Sequence, residues 1–402
     1  VIRTDDMLYI ISQMNSPLLA VEGNRCVLVR HRKAECLRCA AVCTTGAISR
    51  APEGGIAVNP QLCIGCGTCA TVCPSGCLEP QNPPDEALFG TMAEELTEGG
   101  APVVLTCATA AAAAGTRPTV ECLGRIDETF LVEAVVRGAV SITLISGNCS
   151  DCPHQRGGQE CDAALASAAR LLACFGRNVP LQKLTLAQVE PQQAASALSR
   201  SDNPSESPVP LPKPAAEELS FQHVQSDGTL PHFVPQRRLR LFNSLKALGE
   251  PCQQTLNTKL WGQVSVDTDI CRSCRMCAVF CPTAAISPYD KSDGSFGISH
   301  RSALCMQCRL CETICPERAI SVSDEVSLEE FLTGKQFRFK MDPIGWNPSA
   351  PDSISTRMAR YFATDAVQDP QATNKPGEMA ERRAYAQKKE AARRAARQER
   401  KQ

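Results

Sequence analysis

Three cysteine runs are spaced C-x2-C-x2-C-x3-C-P: Cys63, Cys66, Cys69 and Cys73 in CIGCGTCATVCP, Cys271, Cys274, Cys277 and Cys281 in CRSCRMCAVFCPTAAI, and Cys305, Cys308, Cys311 and Cys315 in CMQCRLCETICPERAI. Thiolates at that spacing hold 4Fe-4S clusters. The tight three-cysteine turn supplies three ligands to one cubane, and the fourth cysteine reaches the cluster of a paired run. Crossed over in this way, the late runs predict one cluster on Cys271, Cys274, Cys277 and Cys315 and a second on Cys305, Cys308, Cys311 and Cys281. Zinc fits these runs poorly, because structural zinc sites separate two ligand pairs by a longer loop.

The stretch AECLRCAAVCTTGAI, Ala34 to Ile48, is a fourth run with one ligand gone. It keeps Cys36, Cys39 and Cys43, but Lys33 stands where the leading cysteine belongs and Thr44 replaces the proline. Crossover assigns Cys63, Cys66, Cys69 and Cys43 to one cluster and leaves Cys36, Cys39 and Cys73 for the other. Cys26 precedes the run, as the missing ligand should, and a longer loop costs only about 0.6 kcal/mol per doubling. Cys26 is therefore the expected fourth ligand, with a three-cysteine cluster as the alternative. Cys77 follows Cys73 through a proline and a turn, and its thiol is expected to face away. The basic residues of the intervening VLVRHRKAE would offset the charge of a thiolate-bound cluster and raise its potential. Within that loop His31 is expected to be an exposed structural residue rather than a ligand.

These ligands need short, tight elements around them. The small apolar pairs Ala47–Ile48, Ala285–Ile286 and Ala319–Ile320 each follow a run and are placed to start a strand against a cluster. SPYDKSDGSFGISHRSA, between the late runs, carries the Asp and Gly of a hairpin turn. From Ala101 to about Arg200 the pattern changes: PVVLTC and VSITLI are β-branched strands, and DETFLVEAVVRG is a helix with Asp127 as N-cap and Gly138 as stop. On a helix through ECDAALASAARLLACFG, Cys161 shares an apolar stripe with Leu165, Ala168, Leu172 and Phe175. Cys161, Cys174 and the isolated Cys252 are read as structural, since free cysteine behaves as a small buried hydrophobe. SDNPSESPVPLPKP reads as a linker, and RRLRLFNSLKAL as an amphipathic helix packed on the late unit. The expected organisation is residues 1–90, 101–200, a linker at 201–232, 233–340, and an extended segment with a basic tail at 341–402. The fold class is α+β two-cluster units flanking a small α/β domain, with a disordered or helical tail.

Composition restricts the function classes. The chain has 402 residues and 24 cysteines, so clusters two and three residues apart point to metal rather than to the disulfides of a short secreted domain. No apolar run reaches the roughly 18 residues of a membrane span, and VIRTDDMLYIISQ has no signal pattern, so a cytoplasmic location is expected. Net charge is −1, leaving only the tail MAERRAYAQKKEAARRAARQERKQ as a local basic patch. A solvated tail that docks an acidic partner is expected there, ahead of nucleic-acid binding. No G-x-G-x-x-G after a strand, G-x-x-x-x-G-K-[ST] or G-x-S-x-G occurs.

The two outer units resemble bacterial two-cluster 4Fe-4S ferredoxins on these motifs. The middle segment, VECLGRIDETFLVEAVVRGAVSITLISGNCSDCPHQRGG, is similar to the delta subunit of methyl-viologen-reducing hydrogenase, a 2Fe-2S carrier linking hydrogenase or formate dehydrogenase to heterodisulfide reductase. The likeness rests on CLGRID from Cys122, the helix after it, and Asp151-Cys152 leading to a glycine pair. It implies Cys107, Cys122, Cys149 and Cys152 as ligands of one 2Fe-2S cluster. Cys149 and Cys152 are closer together than the family's last pair, and four thiolates also suit tetrahedral zinc. Four 4Fe-4S clusters and one 2Fe-2S cluster imply a carrier of single electrons with no small-molecule substrate of its own. By resemblance its partners are redox proteins: a hydrogenase, or a molybdenum or tungsten formate dehydrogenase, and an acceptor. An accessory protein for assembly of a molybdoenzyme is the rival expectation.

Overall fold

A computed structural model describes residues 18–52, 54–96, 100–116, 118–188 and 232–341. The expected linker at Ser201–Pro214 and the basic tail lie outside these residues.

Each cysteine-rich unit is built from antiparallel strand pairs too short to stand alone. In the first, Ile48–Arg50 pairs antiparallel with Ile56–Val58, and Leu19–Val21 pairs with Leu78–Pro80. The late unit repeats the plan: Ile286–Asp290 forms the expected hairpin with Phe296–His300, and Ile320–Ser323 pairs with Gln263–Val266. Phe337–Met341 adds a third strand to the late hairpin. The strands that follow each run begin at Ile48, Leu78, Ile286 and Ile320, one residue after a buried Ala47, Cys77, Ala285 or Ala319. Helices of four or five residues cannot persist in water on propensity alone. The helices Arg38–Val42, Thr68–Thr71, Met276–Val279 and Leu310–Ile314 are held by what they pack on.

The middle segment forms a three-stranded parallel sheet in chain order, Pro102–Thr106, Ser141–Ser146 and Leu181–Thr185. The first two strands carry the β-branched runs seen in the sequence; the third, LQKLT, has too little alternation to read. Helices Glu128–Val136 and Gln155–Ala173 make the crossovers. Asp127 caps the first, its Oδ1 accepting from Phe130 N at 3.1 Å, and Gly138 ends it at φ 100°. Cys161 and Cys174 are buried as expected, but Cys252 is exposed, so it is no core residue; its thiol reaches the Cys174 carbonyl at 3.2 Å.

Helix Gln236–Ala247 does not pack on the late unit alone, as its stripe suggested. Thr129 Oγ1 donates to the Arg237 carbonyl at 3.3 Å, tying it to the middle domain, while Phe242 meets Phe331 of the late unit with ring centroids 5.2 Å apart. Its Arg237 pairs with Asp85 at 2.7 Å and Asp127 at 2.9 Å, and the buried Arg125 also bonds to Asp85. One apolar core thus runs from Phe89 and Phe130 through Leu241 and Leu245 to Trp261 and Phe331.

Candidate metal centres

Backbone geometry prepares the runs before any side chain is considered. After the first cysteine of each late run, the second and fourth residues are left-handed: Ser273 and Arg275 at φ 54° and 53°, Gln307 and Arg309 at 51° and 57°. In the second run the same positions are Gly65 and Gly67, at 68° and 75°. Alternating the sign of φ turns successive amides inward into a nest that favours negative charge, the charge a thiolate-bound cluster carries. Holding a non-glycine residue there costs about 1–2 kcal/mol, so the late runs are preorganised against their own local preference. The first run departs: Leu37 has φ −131°, Glu35 is not left-handed, and Lys33 is exposed. All four runs nevertheless turn again three residues after the last cysteine, at Gly46, Gly76, Ala284 and Arg318. That turn aims amides at the fourth sulfur: Ile286 N donates to Cys281 Sγ at 3.4 Å, Ala319 N to Cys315 Sγ at 3.3 Å and Cys77 N to Cys73 Sγ at 3.4 Å.

The thiols fall into sets that cross between runs. Burial pushes the Cys277 thiol well above its usual range, and Cys274, Cys315, Cys271 and Cys281 add to it. Cys271 is raised by burial and then by Cys315. Burial likewise pushes Cys305 and Cys308 up to about 12, with Cys281 the strongest neighbouring thiol for both. In the first unit, Cys43, Cys63, Cys66 and Cys69 line one pocket. Among the described residues no three His, Cys, Asp or Glu side chains converge on a single ion. A cubane places each thiolate on a different iron, so its ligands surround a volume rather than a point. Since iron takes thiolates, loading these sites must release protons.

The remaining set holds both spare cysteines. Burial lifts Cys39 to about 12, followed by the effects of Cys73 and Cys36, with Cys26 contributing. Cys36 also feels Cys73 and Cys26. Cys26 and Cys77 hydrogen-bond to each other, which brings Cys26 down to about 7 against burial and pushes Cys77 up. Cys77 is only 1 % exposed and lies beside Cys73, Cys26 and Cys39. The expectation that its thiol faces away is corrected: on the residue between the turn at Gly76 and the strand Leu78–Pro80, it lies inward. His31 is corrected as well. It is buried, edge-on to Phe280 with ring centroids 4.8 Å apart, and burial lowers its pKa. The buried Arg30 of the same loop faces Cys281 and Cys308 of the late unit.

In the middle domain Cys107, Cys122, Cys149 and Cys152 line one pocket at the carboxyl ends of the first two strands, where open parallel sheets place their ligands. The glycine pair explains itself here. A Cβ on Gly157 would stand 2.3 Å from Cys122 Sγ, and one on Gly158 2.8 Å from Cys149 Sγ, so only glycines leave these sulfurs room. Gly147 N donates to Cys107 Sγ at 3.5 Å and His154 N to Cys152 Sγ at 3.4 Å. The donor set, all sulfur with amide support, fits a 2Fe-2S cluster.

Neighbouring sets lie close to one another both within and between units. Cys36 is a charge neighbour of Cys308, Cys39 of Cys69, Cys277 of Cys311, and Cys66 of Cys122. Arg38 Nη2 donates to the Gln307 carbonyl at 3.0 Å across the first of these junctions. Thr71 Oγ1 donates to the Gly124 carbonyl at 3.1 Å across the last, where a Cβ on Gly124 would strike Thr68 Oγ1 at 2.5 Å.

Known proteins match this chain in pieces. Residues 56–79 match the 4Fe-4S binding domain family, residues 270–319 the 4Fe-4S dicluster domain family, and residues 115–202 the methyl-viologen-reducing hydrogenase delta subunit family. The electron transport protein HydN of Escherichia coli (strain K12) is 48% identical over 48 residues, 12% of this chain and 27% of that protein. The isethionate sulfite-lyase activating enzyme of Nitratidesulfovibrio vulgaris is 41% identical over 68 residues, 17% of this chain and 21% of that protein. The chain therefore spans about a quarter or less of the length of these curated relatives.

Proposed function

We propose that this chain, which carries two 4Fe-4S ferredoxin domains around a domain of the methyl-viologen-reducing hydrogenase delta subunit family, relays single electrons between a dehydrogenase and a partner oxidoreductase. The donor would be of formate dehydrogenase or hydrogenase type, a reading supported by the middle-domain match and by the likeness to an electron transport protein. The cofactors would be four 4Fe-4S clusters and one 2Fe-2S cluster on the thiol sets described above. When bound, such clusters supply one-electron carriers at potentials that the surrounding protein tunes.

The observation that carries this reading is the contiguity of the five sets. They do not follow chain order. The outer late set, Cys271, Cys274, Cys277 and Cys315, adjoins Cys305, Cys308, Cys311 and Cys281; that set adjoins Cys36, Cys39 and Cys73; next come Cys43, Cys63, Cys66 and Cys69; the middle domain is last. A relay needs neighbours without gaps, whereas independent structural clusters do not. Anaerobic purification followed by metal analysis should give about eighteen irons per chain, and the isolated protein should not turn over formate or hydrogen. Stoichiometric zinc in place of iron, or turnover by the pure chain, would refute the relay.

A further inference from the structure

The four runs supply an internal comparison at the fourth residue after the last cysteine. Three runs place a buried alanine there: Ala47, Ala285 and Ala319, at 4 %, 2 % and 3 % exposure. The second run places Cys77, at 1 %. In each run this residue immediately precedes the strand behind the fourth cysteine, and in the second run its amide donates to Cys73 Sγ. By crossover Cys73 belongs to the first-run set, which lacks its leading cysteine. The one run with a thiol at this position is thus the run whose partner site is one thiol short. Cys26 reaches the same place from the other side, from the junction of two turns of 3-10 helix at Gly23–Arg25 and Val27–Val29. Its thiol and that of Cys77 touch through a hydrogen bond.

We propose that the first-run centre is a five-thiol site, formed by Cys26, Cys36, Cys39, Cys73 and Cys77, in which Cys26 and Cys77 are interchangeable holders of the fourth corner. The inference rests on the 4Fe-4S reading of this set. The exchange is redox-neutral: one iron–sulfur bond to Cys26 breaks as one to Cys77 forms, and the proton on the Cys77 sulfur passes to the Cys26 sulfur across their hydrogen bond. No electron or co-reactant is needed. Such a site keeps its cluster when one of the two thiols is lost, which a four-thiol site does not.

The test compares full-length wild type, Cys26→Ala, Cys77→Ala and the double variant, purified anaerobically, by iron content and EPR. Cys77→Ala installs the residue that the other three runs use, so folding is expected to survive. The EPR signals of the other centres report folding in every variant. Both single variants should retain the wild-type iron content, and the double variant alone should lose this cluster or convert it to a 3Fe form. Loss of the cluster in either single variant would overturn interchangeability, and so would its retention in the double variant. A wild type without cubane signals would instead overturn the 4Fe-4S reading itself.

Discussion

Gly157 shows how closely a single residue is tied to a ligand. A methyl group there would sit 2.3 Å from Cys122 Sγ, with Thr68 Oγ1 at 3.0 Å on its other side, so the sulfur must move. Gly157→Ala should abolish the middle-domain signal while leaving the 4Fe-4S signals in place, measurable by EPR and iron content; an unchanged spectrum would remove Cys122 from the ligand set. Arg30 makes the second argument at this scale. A buried guanidinium beside Cys281 and Cys308 favours the reduced, more negative state of a cluster held there. In a redox titration Arg30→Gln should make one late-unit potential more negative and leave the middle-domain potential unchanged. The ferredoxin runs themselves were legible, because C-x2-C-x2-C spacing is a local code. The inward face of Cys77 was not read from CPSGC alone, although its alignment with Ala47, Ala285 and Ala319 was there to see. Arg30 was legible as a basic residue near a cluster, but its contact with the late unit lies some 250 residues away in sequence and left no local trace.

Among the elements, the helix Gln236–Ala247 depends on charge as well as on packing. Burial alone would raise the Asp85 carboxyl, but Arg237 and Arg125 outweigh it and hold the group well below the usual carboxylate range. Because the folded value is depressed, this pair's stabilisation is complete above about pH 4 and is lost as pH falls further. Asp85→Asn leaves the nearly inaccessible Arg125 without its carboxylate, a change that costs roughly 3 kcal/mol when a buried pair is broken. Denaturant unfolding should show that loss at pH 7 and a flatter acid limb than wild type; equal stability at pH 7 would mean that the network is dispensable. The amphipathic stripe of this helix was readable. Its partner was not, because an apolar stripe says that something covers it without saying what. The capped helix at Asp127 and the hairpin between the late runs were readable because cap and turn chemistry is local.

At the scale of the molecule, the chain visits its centres in an order different from the order in which they touch. The middle domain lies in the middle of the sequence but at one end of the series, beyond Cys66, and the outer late set lies at the other end. No periodicity or spacing encodes that arrangement; it arises from packing between units, at Arg38 and Gln307, Thr71 and Gly124, and Phe242 and Phe331. On the proposed relay the first-run centre is the bridge through which electrons cross, and the central claim stands or falls there. The most direct measurement is rapid photoreduction of the metal-loaded full chain, following electron redistribution between the middle-domain and late-unit signals in wild type and in Cys36→Ala/Cys39→Ala. The relay predicts a redistribution phase independent of protein concentration in wild type and absent from the variant, with the other centres still loaded. A variant that redistributes electrons internally as fast as wild type would contradict it.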